Sequence, residues 1–391
     1  MSFDFDEIID RRGTHSAKWD AMETVYGVSP KDGIAMWVAD MDFKPPTVVN
    51  DAIHAMADHG VHGYYADNAS YLNAITGWMQ RHHNWTVEPE WITGTHGLGA
   101  AIALCLQAFT EKGDGVIVFS PVYHAFGKYI NANERVMVES ELINNNGRYE
   151  MDIPALQAAL NGSEKMMIFC SPHNPSGRVW TQKELRDVAD FCIRNDIILV
   201  SDEVHHDLVF APSKHIPMPL AAPDIKDRLV MLVAASKTFN IAGGMSGCAI
   251  ISDTGLNDKF IAAATAAGSH PNRYGMAMVE AAYSGGDEWL KDLLEYLAEN
   301  RRIFDDGVNA IPGVKSMHLE GTYLAWVDFS GTGMSVKDFT DRVEKKAKIA
   351  ANHGGTFGKG GDNFLRFNIG CRRDLIIEAV ARLQDAFSDL Q

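Results

Sequence analysis

Between about residues 90 and 250 the chain alternates short apolar, β-branched runs with longer stretches whose apolar positions return every three to four residues. The short runs predict strands at 116–119, 166–170, 197–201, 229–234 and 248–251. The longer stretches predict helices at 99–110, 153–160 and 181–194, the last opening on the capping box Thr181-Gln182-Lys183-Glu184. Strand–helix alternation implies an α/β fold with a mostly parallel sheet between helices and ligands at the carboxyl ends of the strands. After about residue 286 the pattern changes to a helical stretch at 288–308, strands at 323–329 and 364–367, and a final helix at 374–390. We read this as a large domain at 45–285 and a smaller α+β domain at 286–391. Residues 1–44 have no partner strands of their own and are expected to pack against the smaller unit. A length of 391 residues suits such a division, since single cores stop growing well below it.

Hydrophobic residues at 46% and charged residues at 22% describe a globular chain able to exclude water from a reactive site. A net charge of −16 and a pI near 5.3 argue against nucleic acid and anionic membranes, leaving small molecules as partners. Residues 1–12 carry Asp4, Asp6, Glu7 and Asp10 and no apolar stretch, unlike a secretory signal, and no apolar run is long enough to span a bilayer. Five cysteines without C-x-x-C spacing fit a reducing, cytoplasmic setting and predict neither disulfides nor a metal site.

Five segments place chemistry at predicted strand ends. Lys237, in Ala234-Ala235-Ser236-Lys237-Thr238, follows an apolar run, and a lysine desolvated there is nucleophilic enough to form an imine. Asp202, in Ser201-Asp202-Glu203-Val204-His205, would put a carboxylate in the same crevice, suited to keeping a pyridine nitrogen protonated. Asn174 stands between Pro172 and Pro175, where it is held rigidly enough to donate a hydrogen bond. Gly97, Leu98 and Gly99 open an apolar helix whose free amides suit a phosphate, in a G-x-x-G-x-G order that is not the dinucleotide fingerprint. Tyr123, in Ser120-Pro121-Val122-Tyr123, offers a ring for stacking. Taken singly, each is also a surface lysine, a turn former, a Pro/Gly turn or a core aromatic. Their convergence on one edge of one sheet favours a shared site.

The ordered set G-x-x-G, S-P-x-Y, S-P-x-N-P-x-G, S-D-E-x-H and S-K-T-F-N, with Arg366 late in the chain, resembles the fold-type I pyridoxal 5′-phosphate (PLP) enzymes, the aspartate aminotransferase superfamily. Trp37 to Phe43, Gly63-Tyr64, Phe239 to Gly243 and Asn368 to Cys371 resemble more narrowly the MalY/PatB group of cystathionine β-lyases and C–S lyases. The resemblance covers nearly the whole chain. It implies Lys237 as Schiff-base lysine and proton shuttle, Asp202 on the pyridine nitrogen, and Asn174 with His205 at the ring hydroxyl. It also implies Tyr123 stacked on the ring, Gly97, Leu98 and Ser236 on the phosphate, and Arg366 on the substrate α-carboxylate. Tyr64 would reach the phosphate from a partner subunit, so a homodimer is implied as well. Two positions depart from the relatives: Ala234 stands where a phosphate-binding serine is common, and Gly244-Met245 where aminotransferases carry an arginine.

The same residues serve β-elimination of a thiol and transamination. The resemblance implies the lyase, acting on cystathionine or S-substituted cysteines, with a class I/II aminotransferase as the alternative. A PLP-binding regulator would need a basic DNA-binding segment, and a dinucleotide oxidoreductase a G-x-G-x-x-G after the first strand; the chain has neither.

Overall fold

A computed structural model describes residues 3–65 and 67–390. Its centre is a seven-stranded sheet in the order Ile92–Thr95, Gly247–Ile250, Leu229–Val233, Ile198–Asp202, Glu164–Cys170, Gly115–Ser120, Val136–Glu141. Gly247–Ile250 runs antiparallel to both neighbours, and every other pairing between adjacent strands is parallel. The central strands are buried on both faces, which is why they read as near-continuous apolar runs. Val116 and Val118 pack with Leu104, Phe126 and Phe260 on one side, while Ile117 and Phe119 pack with Leu185, Phe191 and Trp326 on the other.

Register decides where the strand ends fall. Cys170 is opposite Asp202, and Asp202 is opposite Leu232, so three strands finish at one edge. Thr95 pairs with Gly247 and Val233 with Cys248, which brings the start of the helix Gly97–Phe109 to that same edge. The capping box at Thr181 is present at the head of the helix Gln182–Asn195.

A four-stranded antiparallel sheet, Lys315–Ser316, Leu324–Asp328, Phe364–Asn368 and Asn352–His353, is flanked by the long helix Asp287–Asn309 and by Arg373–Ala386. The opening residues do have a strand partner, contrary to the reading above: Ile34–Ala35 pairs in parallel with Ile349–Ala350. The match is only two residues long, too short to give a periodic signal. Further along, Asn368 donates to the Val38 and Asp40 carbonyls at 2.6 Å each, and Asp42 N–H donates to Gly370. No helix among the described residues is long and apolar enough to cross a membrane.

Candidate active site

Lys237 follows the Leu229–Val233 strand by four residues, and its Nζ donates to the Ala39 carbonyl at 2.8 Å. Burial lowers its pKa; Arg366 adds to the effect, and Asp40 and Asp202 oppose it. Ala39 O also accepts from the Tyr323 hydroxyl at 2.9 Å. That carbonyl is fixed by an ionic clamp: Arg11 pairs with Asp40 at 2.8 Å and Asp42 at 2.7 Å, and buried Lys18 pairs with Asp42 at 2.8 Å. Asn240 completes the clamp. In a left-handed conformation (φ 56°) that asparagine tolerates, it accepts from Met41 N–H and donates to the Met41 and Phe43 carbonyls.

Asp202 ends its strand at 5% exposure, and burial pushes its carboxyl up to about 6, with Val204 N–H and the Lys237 charge opposing. The Val204 amide donates to Oδ1 at 3.2 Å. Cys170, which leads into the Asn174 loop, is opposite Asp202, and Asp202 is opposite Leu232, which leads to Lys237, so the three segments meet at one crevice at the strand ends.

Arg366 lies on the strand Phe364–Asn368 of the smaller sheet, at 2% exposure. Its guanidinium donates to Asn174 Oδ1 at 2.8 Å, Trp37 O at 2.7 Å and Asn352 Oδ1 at 2.5 Å, and it lies 5.0 Å over the Phe357 ring. All of those acceptors are neutral. No described carboxylate pairs with it, its Nε is buried without a partner, and burial lowers its pKa to about 10. A buried cation lacking a counter-ion is costly, and a carboxylate entering the crevice would relieve it.

Asn174 spends Oδ1 on Arg366, which leaves its amide nitrogen to donate elsewhere. His205 is buried 6.1 Å from Tyr323 with Nδ1 unpartnered, and burial holds its pKa well below the ordinary value. Tyr123 flanks the crevice with its hydroxyl pushed up to about 12 by burial. Beside it His124 has an unpartnered buried Nδ1 and a pKa lowered to about 4 by burial and the nearby Arg366 charge.

Gly97 begins its helix at φ +75°, where a side chain would be strained, and no side chain caps that terminus. The amides of Gly97 and Leu98 and the partly exposed Ser236 therefore offer donors at the sheet edge from which Lys237 also emerges. Ala234 is a buried wall, and Met245 is 45% exposed in a left-handed turn. Tyr64 is fully exposed on a surface cleft with His62, Arg273 and Tyr274, and makes no hydrogen bond to a described residue. The sequence reading did not single out Tyr323, Asn352, His124 or the Ala39 carbonyl. A backbone acceptor has no signature, and Asn352 meets Arg366 only through antiparallel register in the smaller sheet.

The family described as aminotransferase class I and II matches residues 31–383. Cystathionine beta-lyase PatB of Bacillus subtilis is 37% identical over 98% of this chain and 100% of its own. Cystalysin of Treponema denticola, solved with pyridoxal 5′-phosphate, is 33% identical over the full length of both chains, with a TM-score of 0.95. A PLP-bound C–S lyase of Staphylococcus hominis is 30% identical over 99% of this chain and 98% of its own, with a TM-score of 0.91.

Proposed function

The chain belongs to the aminotransferase class I and II family, and from that premise we propose that it is a PLP-dependent carbon–sulfur β-lyase. It cleaves cystathionine or another S-substituted cysteine to a thiol, pyruvate and ammonia. The relatives named above support the class. The observation that carries the residue assignment is the buried Arg366, with no counter-ion among the described residues, bonded to Asn174 at the strand edge that Asp202 and the Lys237 segment share.

The cofactor fits what the crevice leaves open: an amine, a desolvated carboxylate, an uncapped helix terminus and the unpartnered His205 Nδ1. Bound there, PLP supplies an electron sink for charge developing on the substrate α-carbon. Lys237 would hold it covalently. Asp202 would hold the proton on its ring nitrogen, Asn174 would donate to its ring oxygen with His205 alongside, and Tyr123 would cover a ring face. Gly97, Leu98 and Ser236 would bind its phosphate, together with Tyr64 of the partner subunit in a homodimer.

Arg366 takes the substrate carboxylate in a two-pronged pair, with Asn174 and Asn352 preventing rotation of its plane. The amino acid is thereby oriented with its Cα–H toward Lys237. Freed when the substrate's amine takes its place on the cofactor, the Lys237 amine, kept neutral by its lowered pKa, would remove that proton, which is then available to the departing sulfur at Cβ. Residues 45–285 then form the cofactor domain and 286–391 a smaller domain carrying Arg366, with 1–44 tying the second to the first. Acidity and buried thiols fit a cytoplasmic enzyme.

The test is product formation without a keto acid. A lyase releases pyruvate continuously from L-cystathionine or S-alkyl cysteines. Stalling after a single turnover, relieved only by adding a keto acid, would replace this reading with the aminotransferase.

A further inference from the structure

Beyond Asp202 the chain turns through Glu203, Val204, His205, His206 and Asp207, and this turn meets the last residue of the helix Ala69–His83. His83 Nε2 lies 2.7 Å from Asp207 Oδ1, and His206 Nε2 lies 3.3 Å from Asp207 Oδ2. The three side chains present one ligand atom each within 4.8 Å of one another. His206 and Asp207 are buried, and the His83 side chain is only 6% exposed.

One ring nitrogen in this cluster is left without a partner. The Glu203 carbonyl can only accept, and it lies 2.5 Å from His206 Nδ1, so that nitrogen carries the hydrogen. The other ring nitrogen, Nε2, then faces the Asp207 carboxylate at 3.3 Å and is buried with no hydrogen-bond partner. An unpartnered ring nitrogen aimed at a carboxylate beside a second imidazole is a place for a cation. Asp207 is aimed by Trp78 Nε1 at 3.0 Å and by the Thr238 hydroxyl at 2.8 Å. A backbone carbonyl on the far ring nitrogen and donors on the carboxylate are the outer contacts that orient metal ligands.

We propose that His83 Nε2, His206 Nε2 and an Asp207 carboxylate oxygen bind a divalent cation of the Zn²⁺ class, with a water in the fourth position. Two imidazole nitrogens and one carboxylate oxygen suit zinc and its first-row neighbours, not magnesium or calcium. Tetrahedral ligands about 2.0–2.1 Å from zinc stand about 3.3 Å apart, which is the His206–Asp207 spacing. His215 stays with Glu203, its Nε2 2.6 Å from Oε2. The ion would tie the end of the Ala69–His83 helix to the turn after Asp202. Its carboxylate also grips Thr238, the neighbour of Lys237, so the site braces the crevice floor without using any of its catalytic groups.

Chelator-washed, PLP-loaded enzyme is titrated with Zn²⁺ by calorimetry and with Co²⁺ by visible spectroscopy. The expected result is about one ion per chain and the absorption of tetrahedral Co²⁺. His83→Gln and His206→Gln should each weaken binding by at least about a hundredfold, with cofactor absorption unchanged. Circular dichroism checks both folds; should the buried His206→Gln misfold, His83→Gln at the helix end decides alone. Stoichiometric binding that survives His83→Gln at wild-type affinity, or no stoichiometric binding by the wild type, overturns the proposal.

Discussion

Replacing Asp202 with Asn exchanges one carboxylate oxygen for an amide in a group 5% exposed, and it should move rate and stability in different directions. In the cofactor-free protein the folded carboxyl titrates near 6 against an ordinary 3.8. The folded state thus holds the proton more tightly than the unfolded chain. Whatever stability this contributes is complete below about pH 4 and is lost as the pH rises through about 6. A shift of about two units corresponds to about 3 kcal/mol, so near neutral pH the ionised carboxylate is a strain on the empty site. Asp202→Asn removes that strain. Urea melts of the cofactor-free variant should show a stability equal to or up to about 3 kcal/mol above wild type near pH 7, a difference that vanishes near pH 4. Turnover should go the other way. A close charge pair at an effective dielectric of about 20 is worth about 4 kcal/mol, so losing it costs roughly a thousandfold in kcat. Near-normal turnover with reduced stability near pH 7 would show that Asp202 is a turn residue and refute the reasoning.

Arg366→Lys keeps the charge but loses the planar fork and its contacts to Asn174 and Asn352, so kcat/KM for amino acids should fall by about a hundredfold or more while cofactor occupancy is unchanged; an unaltered kcat/KM in steady-state assays would remove it from the substrate site. Tyr64→Phe should leave thermal stability untouched and weaken PLP binding by about tenfold to a hundredfold, the worth of one hydrogen bond to a charged group. Fluorescence titration of the cofactor-free protein checks this, and wild-type affinity would show that the exposed Tyr64 has no part in the site.

Lys237, Asp202, Asn174 and Tyr123 could be singled out because each lies at the end of a strand or within four residues beyond it, and the buried central strands of a mostly parallel sheet read as apolar runs. The direction of Gly247–Ile250 was not legible, since an apolar run looks the same in either sense. Val136–Glu141 escaped because it is an edge strand, partly exposed along its length and ending in charged and polar residues. Arg366 came from resemblance; its isolation from any carboxylate became visible only when Asn174, Trp37 and Asn352, far apart in sequence, were seen to surround it. The clamp of Arg11 and Lys18 on Asp40 and Asp42 was hidden for the same reason, as charged residues near the start of the chain read as solvated surface.

The central claim is that Lys237 carries the cofactor, and borohydride reduction of the PLP-loaded enzyme followed by peptide mass mapping tests it most directly. The expected result is a yellow protein whose visible band is bleached by the reduction, with the phosphopyridoxyl group on the peptide containing Ser236, Lys237 and Thr238. Finding that group on another lysine, or on none, would contradict it.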